Sequence, residues 1–155
     1  KEVMEILPLS LTSSSVTELI KTYSDQESLK LSEDITLLKQ SSFEGLPNTL
    51  LFSLKRFNEM LTKDRSRVDV NAKISLVQSS PLIDEDNKIS ISYHLTGVIV
   101  HHSFADGEDS TLDQGHYTYV KGHVQRSDKK MNSLSPVDLD KMINRDGYIL
   151  IYEKD

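Results

Sequence analysis

A histidine lies between a glycine and an aromatic residue in residues 115–119, which read Gly-His-Tyr-Thr-Tyr. The segment follows an apolar run and an acidic loop, so His116 is predicted near the start of a β-strand. Gly115 would let a substrate backbone approach closely, because it carries no side chain. Imidazole is the side chain best suited to moving protons near neutral pH. We therefore take His116 as a candidate general acid or base, the alternative being an ordinary core or surface histidine.

A catalytic histidine is usually held in one tautomer by a neighbouring Asp or Asn. If the predicted strand 117–124 folds back as a hairpin centred near its last residue, Asn132 faces His116 with Cβ atoms ~5 Å apart. A different register would bring Ser133 or Asp128 to that place. The sequence thus predicts a pair of His116 and Asn132, with Ser133 and Asp128 as alternatives.

The chain has five histidines, which raises the question of a metal site. His101 and His102 are adjacent, and neighbouring side chains of a strand point to opposite faces of a sheet. They are therefore not expected to bind one ion together. The chain has no cysteine, which excludes thiolate zinc sites, disulfides and a cysteine nucleophile within it. We predict no metal and no cofactor.

The order of predicted elements places these residues in an α+β fold. A capping box at residues 15–18 and apolar residues at helical spacing predict a helix over 16–23. Ser135 and Pro136 predict the start of a second short helix that ends near Met142. Residues 24–34 are predicted as a loop or short helix, 58–67 as a loop, 3–11 as an entry or edge strand, and 35–38, 50–57, 68–77, 88–101, 117–124 and 147–153 as strands.

The strand predicted at 50–57 carries the basic pair Lys55 and Arg56 near its end. Its apolar side chains are predicted to lie in the core. We expect both cations at the solvated end of the strand, with a structural role.

Composition limits the choice of partner. The formal net charge is −6, from 18 basic and 24 acidic residues. The basic residues are scattered, so nucleic acid is not expected as a partner, and an acidic surface suits a basic one better. The apolar runs are too short to span a bilayer, so no membrane partner is expected. The lack of cysteine and of any Asn-x-Ser/Thr triplet favours an intracellular location, in cytoplasm or nucleus.

Three segments of the chain resemble motifs of the ubiquitin-specific protease family. Residues 46–57 (LPNTLLFSLKRF) are similar to the family's LPxxLxxxLKRF segment. Residues 93–101 (YHLTGVIVH) followed by 115–120 (GHYTYV) are similar to its histidine box, and 147–153 (GYILIYE) to its closing strand. The motifs occur in the family's order and together cover roughly residues 46–155.

The resemblance implies an antiparallel, β-rich, palm-like half of a papain-like cysteine peptidase with short flanking helices. Such an enzyme hydrolyses the bond after the C-terminal glycine of ubiquitin. His116 would activate a cysteine thiol as general base and then protonate the leaving amine, while Asn132 would orient its ring. His101, Gly115 and Tyr117 would line the channel for the tail of ubiquitin or of a ubiquitin-like protein, which would be the partner.

The loop 104–114 corresponds by its place in the chain to a loop of the family that shifts when ubiquitin binds. Its carboxylates suit the basic tail of ubiquitin by charge, or else they only keep a surface loop solvated. The residues in question are Asp106, Glu108, Asp109 and Asp113.

The chain departs from the family in lacking the cysteine box and the cysteine pairs of the zinc-binding fingers. The resemblance therefore covers the C-terminal half of a catalytic domain. We predict a single domain over 1–155, with a lead-in and helix over 1–45 and the β-rich part over 46–155. The chain does not begin with methionine, so we expect it to start within a longer sequence.

Two expectations follow. The cysteine would come from an upstream or separate segment, and this chain alone would show no turnover. The alternatives are a catalytically inactive module that binds ubiquitin, and a β-rich interaction domain unrelated to ubiquitin.

Overall fold

The computed structural model describes residues 5–25, 27–79, 88–103 and 115–155. Within these ranges the fold is α+β, as the sequence predicted, and strands outnumber helices. The strands are β1 (Leu7–Leu9), β2 (Glu27–Lys30), β3 (Thr36–Lys39), β4 (Thr49–Leu54), β5 (Lys73–Gln78), β6 (Ile89–Ser103), β7 (Gly115–Lys121), β8 (Val124–Ser127), β9 (Lys130–Ser133) and β10 (Gly147–Lys154), and the helices are α1 (Val16–Ser24) and α2 (Pro136–Asp146).

Eight strands form one sheet around the long strand β6. Their order is β1-β4-β10-β6-β7-β8-β9, and β5 pairs with the first part of β6. β6 is 15 residues long, so it can pair with β5 at its start, with β10 in its middle and with β7 at its end. The pairing is antiparallel throughout, except that β1 lies parallel to β4. β6 therefore brings its last residues next to the start of β7.

A separate two-stranded sheet is formed by β2 and β3. Leu29 and Leu37 face each other across it, and both remain largely exposed. Leu31 and Ile35 continue the same face, joined by a backbone hydrogen bond of 2.9 Å. The strand predicted at 35–38 is observed as β3. The expectation of a loop or short helix for 24–34 was wrong for β2, because a strand exposed on both faces needs no alternation of apolar and polar residues.

The two helices begin where their capping residues predicted. Ser15 accepts a hydrogen bond from the backbone N–H of Glu18, and α1 buries its apolar face against the sheet. α2 begins after Ser135 in the same way but continues to Asp146, beyond the predicted end at Met142. It passes directly into β10 at Gly147, where a Cβ would collide with the carbonyl oxygen of Ile143. A glycine is therefore needed at this change from helix to strand.

The alternating segment 68–77 is a strand only from Lys73 onward. Val68 is buried, but its N–H donates to the carbonyl oxygen of Asn144 at 3.0 Å. The N–H of Asp69 donates to the carbonyl oxygen of Ser14 at 2.7 Å. Apolar residues at every second position produced the strand-like pattern of residues 68–72. The N–H groups of Val68 and Asp69, however, bond to a helix end and a loop and not to a neighbouring strand.

The core packs between the sheet and α1, and it includes large side chains from the central strands, namely Phe52, Tyr93, Leu150 and Tyr152. The two tyrosine hydroxyls are satisfied by the carbonyl oxygens of Pro47 and Asn71, at 2.6 and 2.7 Å. Burial raises the pKa of both phenols. The tyrosines therefore fasten connecting loops to the sheet.

Arg56 corrects one expectation from the sequence. Lys55 is exposed as predicted, but the Arg56 side chain is fully buried. Its guanidinium donates to the carbonyl oxygens of Gly147 at 2.7 Å, Asn144 at 2.9 Å and Ser66 at 2.8 Å. Burial lowers the pKa of Arg56, but guanidinium stays charged in proteins. The cation therefore holds the end of α2 against the segment after β4.

Candidate functional site

His116 is the second residue of β7 and lies directly opposite His102 of β6. Its side chain is 39% exposed, so the ring is supported by the sheet on one side and accessible to solvent on the other. A histidine so placed is able to exchange a proton with a group outside this chain. The predicted position at the start of a strand is thus observed.

The hydrogen-bond partner of His116 is Ser127, the last residue of β8. Its Oγ lies 2.7 Å from Nε2 of the imidazole. The Asp128 carboxylate is next along the chain, 4.0 Å from the same nitrogen, and it is 84% exposed. With Nε2 engaged by Ser127, proton transfer to or from a reacting group would use Nδ1. A hydrogen bond between the Ser127 hydroxyl and Nε2 fixes the orientation of the ring, and with it the direction in which Nδ1 points.

The predicted pairing of Asn132 with His116 was wrong. Asn132 lies on β9, opposite Gln125, with a further strand between it and β7. The prediction assumed one wide hairpin, but the chain makes two tight ones. The first turns at Gly122, whose φ is +56°, and the second at Asp128, whose φ is +50°. Ser133 is likewise remote, since it pairs with Val124.

Ser127 was missed by the sequence analysis, although a signal for it exists. A glycine at Gly122 favours a two-residue turn, because glycine adopts positive φ without strain. That turn pairs Lys121 with Val124. Continued along the strands, this register puts Ser127 opposite Thr118, one diagonal step from His116.

His101 is buried on the opposite face of the sheet from His116. Its ring makes edge contacts with Phe57 at 5.1 Å and Tyr117 at 4.8 Å between ring centroids. The ring also packs against Gly115, where a Cβ would collide with it and would lie 2.6 Å from the carbonyl oxygen of His102. Gly115 thus has a packing role. Since His101 has no solvent exposure, it could shape a ligand channel only through its neighbours.

Tyr117 is the most exposed member of this aromatic cluster, with 43% of its surface exposed. It contacts His101 on one side and Tyr148 on the other, the two tyrosine rings being 6.0 Å apart. Burial, with a smaller contribution from Tyr148, raises the pKa of Tyr117, so its hydroxyl is a neutral donor at neutral pH. The predicted contact with a ligand tail stays a prediction. The acidic residues Asp106, Glu108, Asp109 and Asp113 lie outside the described residues.

A buried ion pair supports the end of β6. The Lys63 ammonium donates to Asp146 Oδ1 at 2.7 Å and to the carbonyl oxygen of His101 at 2.6 Å. Burial lowers the pKa of Lys63. Burial acts to raise the pKa of Asp146, but hydrogen bonds from Lys63 and Arg145 outweigh it, so the net pKa is lowered. The pair therefore remains ionised and ties β6 to the end of α2.

Across the described ranges, no three His, Cys, Asp or Glu side chains converge to form a metal site. No helix in that part of the chain is long and apolar enough to cross a membrane. His101 and His102 point to opposite faces, as predicted, since Gly115 packs on the ring of one while His116 pairs with the other.

Solved structures of the yeast SAGA DUB module contain this fold. One with a mutant Sgf73 matches with a TM-score of 0.74 at 20% identity, over 96% of this chain and 35% of that chain. The SAGA Ubp8/Sgf11/Sus1/Sgf73 DUB module bound to ubiquitin aldehyde matches with a TM-score of 0.74 at 22% identity and the same coverage. The chain therefore spans 35% of the length of these structural relatives. No curated protein matches its sequence.

A family model provides the remaining comparison. The model described as ubiquitin carboxyl-terminal hydrolase matches residues 4–152, which is nearly the whole chain. The match covers the first two motifs on which the resemblance rested and all but the last residue of the third, and it also covers α1 and most of the lead-in. The chain therefore belongs to the ubiquitin carboxyl-terminal hydrolase family.

Proposed function

We propose that this chain supplies the general base for thiol-dependent hydrolysis of the bond after the C-terminal glycine of ubiquitin. The observation that carries the proposal is the half-exposed His116, whose Nε2 lies 2.7 Å from the Ser127 hydroxyl in a member of a ubiquitin hydrolase family. The cysteine would be contributed by residues outside this chain, because none occurs within it.

The chemistry assigns two consecutive tasks to His116. Nδ1 takes the proton of the thiol, and the thiolate attacks the carbonyl carbon of the glycine. The imidazolium then protonates the leaving amine as the C–N bond breaks, and a thioester remains. In the second half, His116 takes a proton from water, whose oxygen attacks the thioester carbonyl carbon. The C–S bond breaks, and the imidazolium returns the proton to the departing thiolate, which leaves the thiol and the glycine carboxylate.

Ser127 is proposed as the residue that orients His116, in place of Asn132. A hydroxyl can accept the Nε2–H of an imidazolium, so it holds the ring through both protonation states. It carries no charge, however, and therefore stabilises the imidazolium less than a carboxylate would. Asp128 adds a negative charge at 4.0 Å, which acts through solvent.

Ubiquitin is proposed as the partner because the family is described as ubiquitin carboxyl-terminal hydrolases. In addition, two of the similar solved structures contain ubiquitin, one as ubiquitin aldehyde and one as monoubiquitin. The described surface on which its C-terminal tail would lie is the end of the sheet at the start of β7, where His116 on one face and Tyr117 on the other are both partly exposed. The acidic residues of 104–114 would attract the same tail by their charge, which the sequence alone predicts.

A second candidate function is ubiquitin binding without cleavage. The lack of cysteine in all 155 residues favours it, since a protein assembled only from chains like this one would have no thiol nucleophile. The same surface around His116 would then retain the tail but leave the bond intact.

The test uses the complete catalytic domain and a fluorogenic ubiquitin substrate. We expect His116→Ala to abolish turnover and Ser127→Ala to lower kcat by about tenfold to a hundredfold with little change in ubiquitin affinity, because orientation matters chiefly in the transition state. Asn132→Ala is the matched control, as it alters an exposed residue one strand further away.

The outcomes separate the alternatives. Turnover that falls in Asn132→Ala but not in Ser127→Ala would contradict the assignment of Ser127. Full turnover in His116→Ala would contradict the proposed catalytic role altogether. Ubiquitin binding without turnover in the unaltered domain would favour the second candidate function.

A further inference from the structure

A second histidine, His102, lies beside the candidate base and takes no part in the mechanism above. It is directly opposite His116 in the β6–β7 pairing, so the two side chains point to the same face. Cβ atoms in such a pair are roughly 5 Å apart. Two imidazoles at this distance influence one another's charge, since two positive charges would repel.

The His102 ring is held by a triangle of hydrogen bonds. Its Nε2 lies 2.8 Å from Thr118 Oγ1 and 3.1 Å from Gln125 Nε2. The Gln125 amide also donates to Thr118 Oγ1 at 3.1 Å. Thr118 is buried, and the three side chains come from three adjacent strands, β6, β7 and β8.

The donors in this triangle determine where the His102 proton resides. An amide nitrogen can only donate, so Gln125 Nε2 requires Nε2 of His102 to be an acceptor. Thr118 accepts from Gln125 and can therefore turn its own hydroxyl proton towards His102. A ring whose Nε2 accepts is neutral and carries its proton on Nδ1.

The charged groups around His102 come from each element packed near it. They are Lys63 from the segment after β4, Arg145 and Asp146 from α2, and His116 from β7. Burial is the main cause that lowers the pKa of His102, and the three cations act in the same direction against Asp146 alone. The surroundings and the hydrogen bonds thus favour the same neutral form.

We propose that Gln125 and Thr118 keep His102 as a neutral hydrogen-bond acceptor, so that positive charge in this part of the sheet is carried by His116. His102 is then a positioning residue that acts through the charge state of its neighbour. This inference rests on the proposed function of His116. It identifies Gln125 and Thr118 as parts of the site that the proton-transfer mechanism does not itself require.

The first test is NMR of the histidine nitrogens in this chain, because it reads the tautomer without any turnover. We expect the His102 signals of an Nδ1–H imidazole at neutral pH. Gln125→Glu places an acceptor where the amide donated, and should raise the pKa of His102 by about one unit or more, as a carboxylate neighbour does. Gln40→Glu adds the same charge at an exposed position and should leave the His102 signals in place.

An Nε2–H tautomer or an imidazolium at neutral pH in the unaltered chain would overturn the proposal. So would a Gln125→Glu variant whose His102 signals match those of Gln40→Glu. Should Gln125→Glu fail to fold, Thr118→Val removes one corner of the triangle and is expected to raise the population of the Nε2–H tautomer.

The second test compares two replacements of His102 in the complete domain. His102→Gln is neutral, whereas His102→Lys places a fixed positive charge beside His116. We expect His102→Lys to be roughly tenfold less active at neutral pH than His102→Gln, because the fixed charge destabilises the imidazolium that forms on His116, with the acidic limb of its kcat/KM profile moved to lower pH. Equal activity and equal pH profiles would contradict the role of charge at this position.

The two tests separate this proposal from the proposed function. A complete domain that fails to hydrolyse ubiquitin would remove the proposed function, and the NMR measurement would still decide the state of His102. If the complete domain is active but NMR shows that His102 is an imidazolium, the proposed function stands and the inference about His102 is wrong.

Discussion

His116 is contacted by a neutral serine and feels the negative charge of an aspartate at longer range. Ser127 is within hydrogen-bonding distance, whereas Asp128 is largely exposed and 4.0 Å from Nε2. Exposed ion pairs contribute little and are screened by salt. The orientation of the His116 ring therefore depends on Ser127, and the Asp128 carboxylate adds only a weak electrostatic attraction.

The first prediction at the residue scale concerns Asp128. Because its charge acts through solvent, Asp128→Asn should lower kcat/KM of the complete domain by less than about threefold. Asn is suitable here because it tolerates the left-handed backbone of the turn. The effect should vanish at high ionic strength. A tenfold loss that persists in salt would mean that Asp128 binds His116 directly during turnover.

The sequence predicted the position of His116 at the start of a strand better than its surroundings. The glycine and the aromatic residue on either side led to this histidine as the candidate base. The identity of its partner depended on the hairpin register, and a one-residue difference in turn position exchanges the faces of all following side chains. A tight turn at Gly122 gives a register that brings Ser127 near His116, whereas the wide hairpin assumed from the sequence brought Asn132 there.

At the scale of elements, the buried pair of Lys63 and Asp146 joins the segment after β4, the end of α2 and the end of β6. Removing one member of a buried ion pair costs about 3–5 kcal/mol, because the other charge stays buried without compensation. We therefore expect Asp146→Asn to lower the melting temperature of the protein strongly. Asp34→Asn, at an exposed site, serves as the charge-matched control.

The same pair predicts a dependence on pH. The folded-state pKa of Asp146 is below its usual value, so the ionised carboxylate stabilises the folded protein above about pH 4, where an unfolded aspartate also ionises. That contribution is lost as the pH falls through the lowered pKa. Between pH 7 and pH 3, the melting temperature of Asp146→Asn should fall less than that of Asp34→Asn. Melting temperatures that fall equally in the two variants would contradict a stabilising role of the ionised Asp146.

The elements themselves were predictable where local signals agreed with burial. Both helix starts followed from Ser15 and Ser135, and the long strand β6 followed from its long run of strand-forming residues. Arg56 and the segment 68–72 were misjudged because tertiary hydrogen bonds decide them. A buried arginine that binds three carbonyl oxygens of distant segments leaves no local pattern.

At the scale of the whole molecule, the chain holds the candidate base and the residues that support it, but no cysteine thiol. We expect the chain alone to show no turnover of a fluorogenic ubiquitin substrate, because hydroxyl groups would need a different base geometry to replace the thiolate. The measurement compares purified chain with buffer. Turnover that survives a thiol-alkylating reagent and is lost in His116→Ala would contradict the requirement for an external cysteine.

The small sheet of β2 and β3 affects how the isolated chain behaves at high concentration. A two-stranded hairpin is marginally stable in water by itself, and here Leu29, Leu31, Ile35 and Leu37 lie on one largely exposed face. Within the described part of the chain, neither strand pairs with the main sheet, so their backbone edges can act as templates for other chains. Colloidal stability of the isolated chain is therefore limited by this hairpin, and polar replacements at its leucines would improve solubility without touching the histidine.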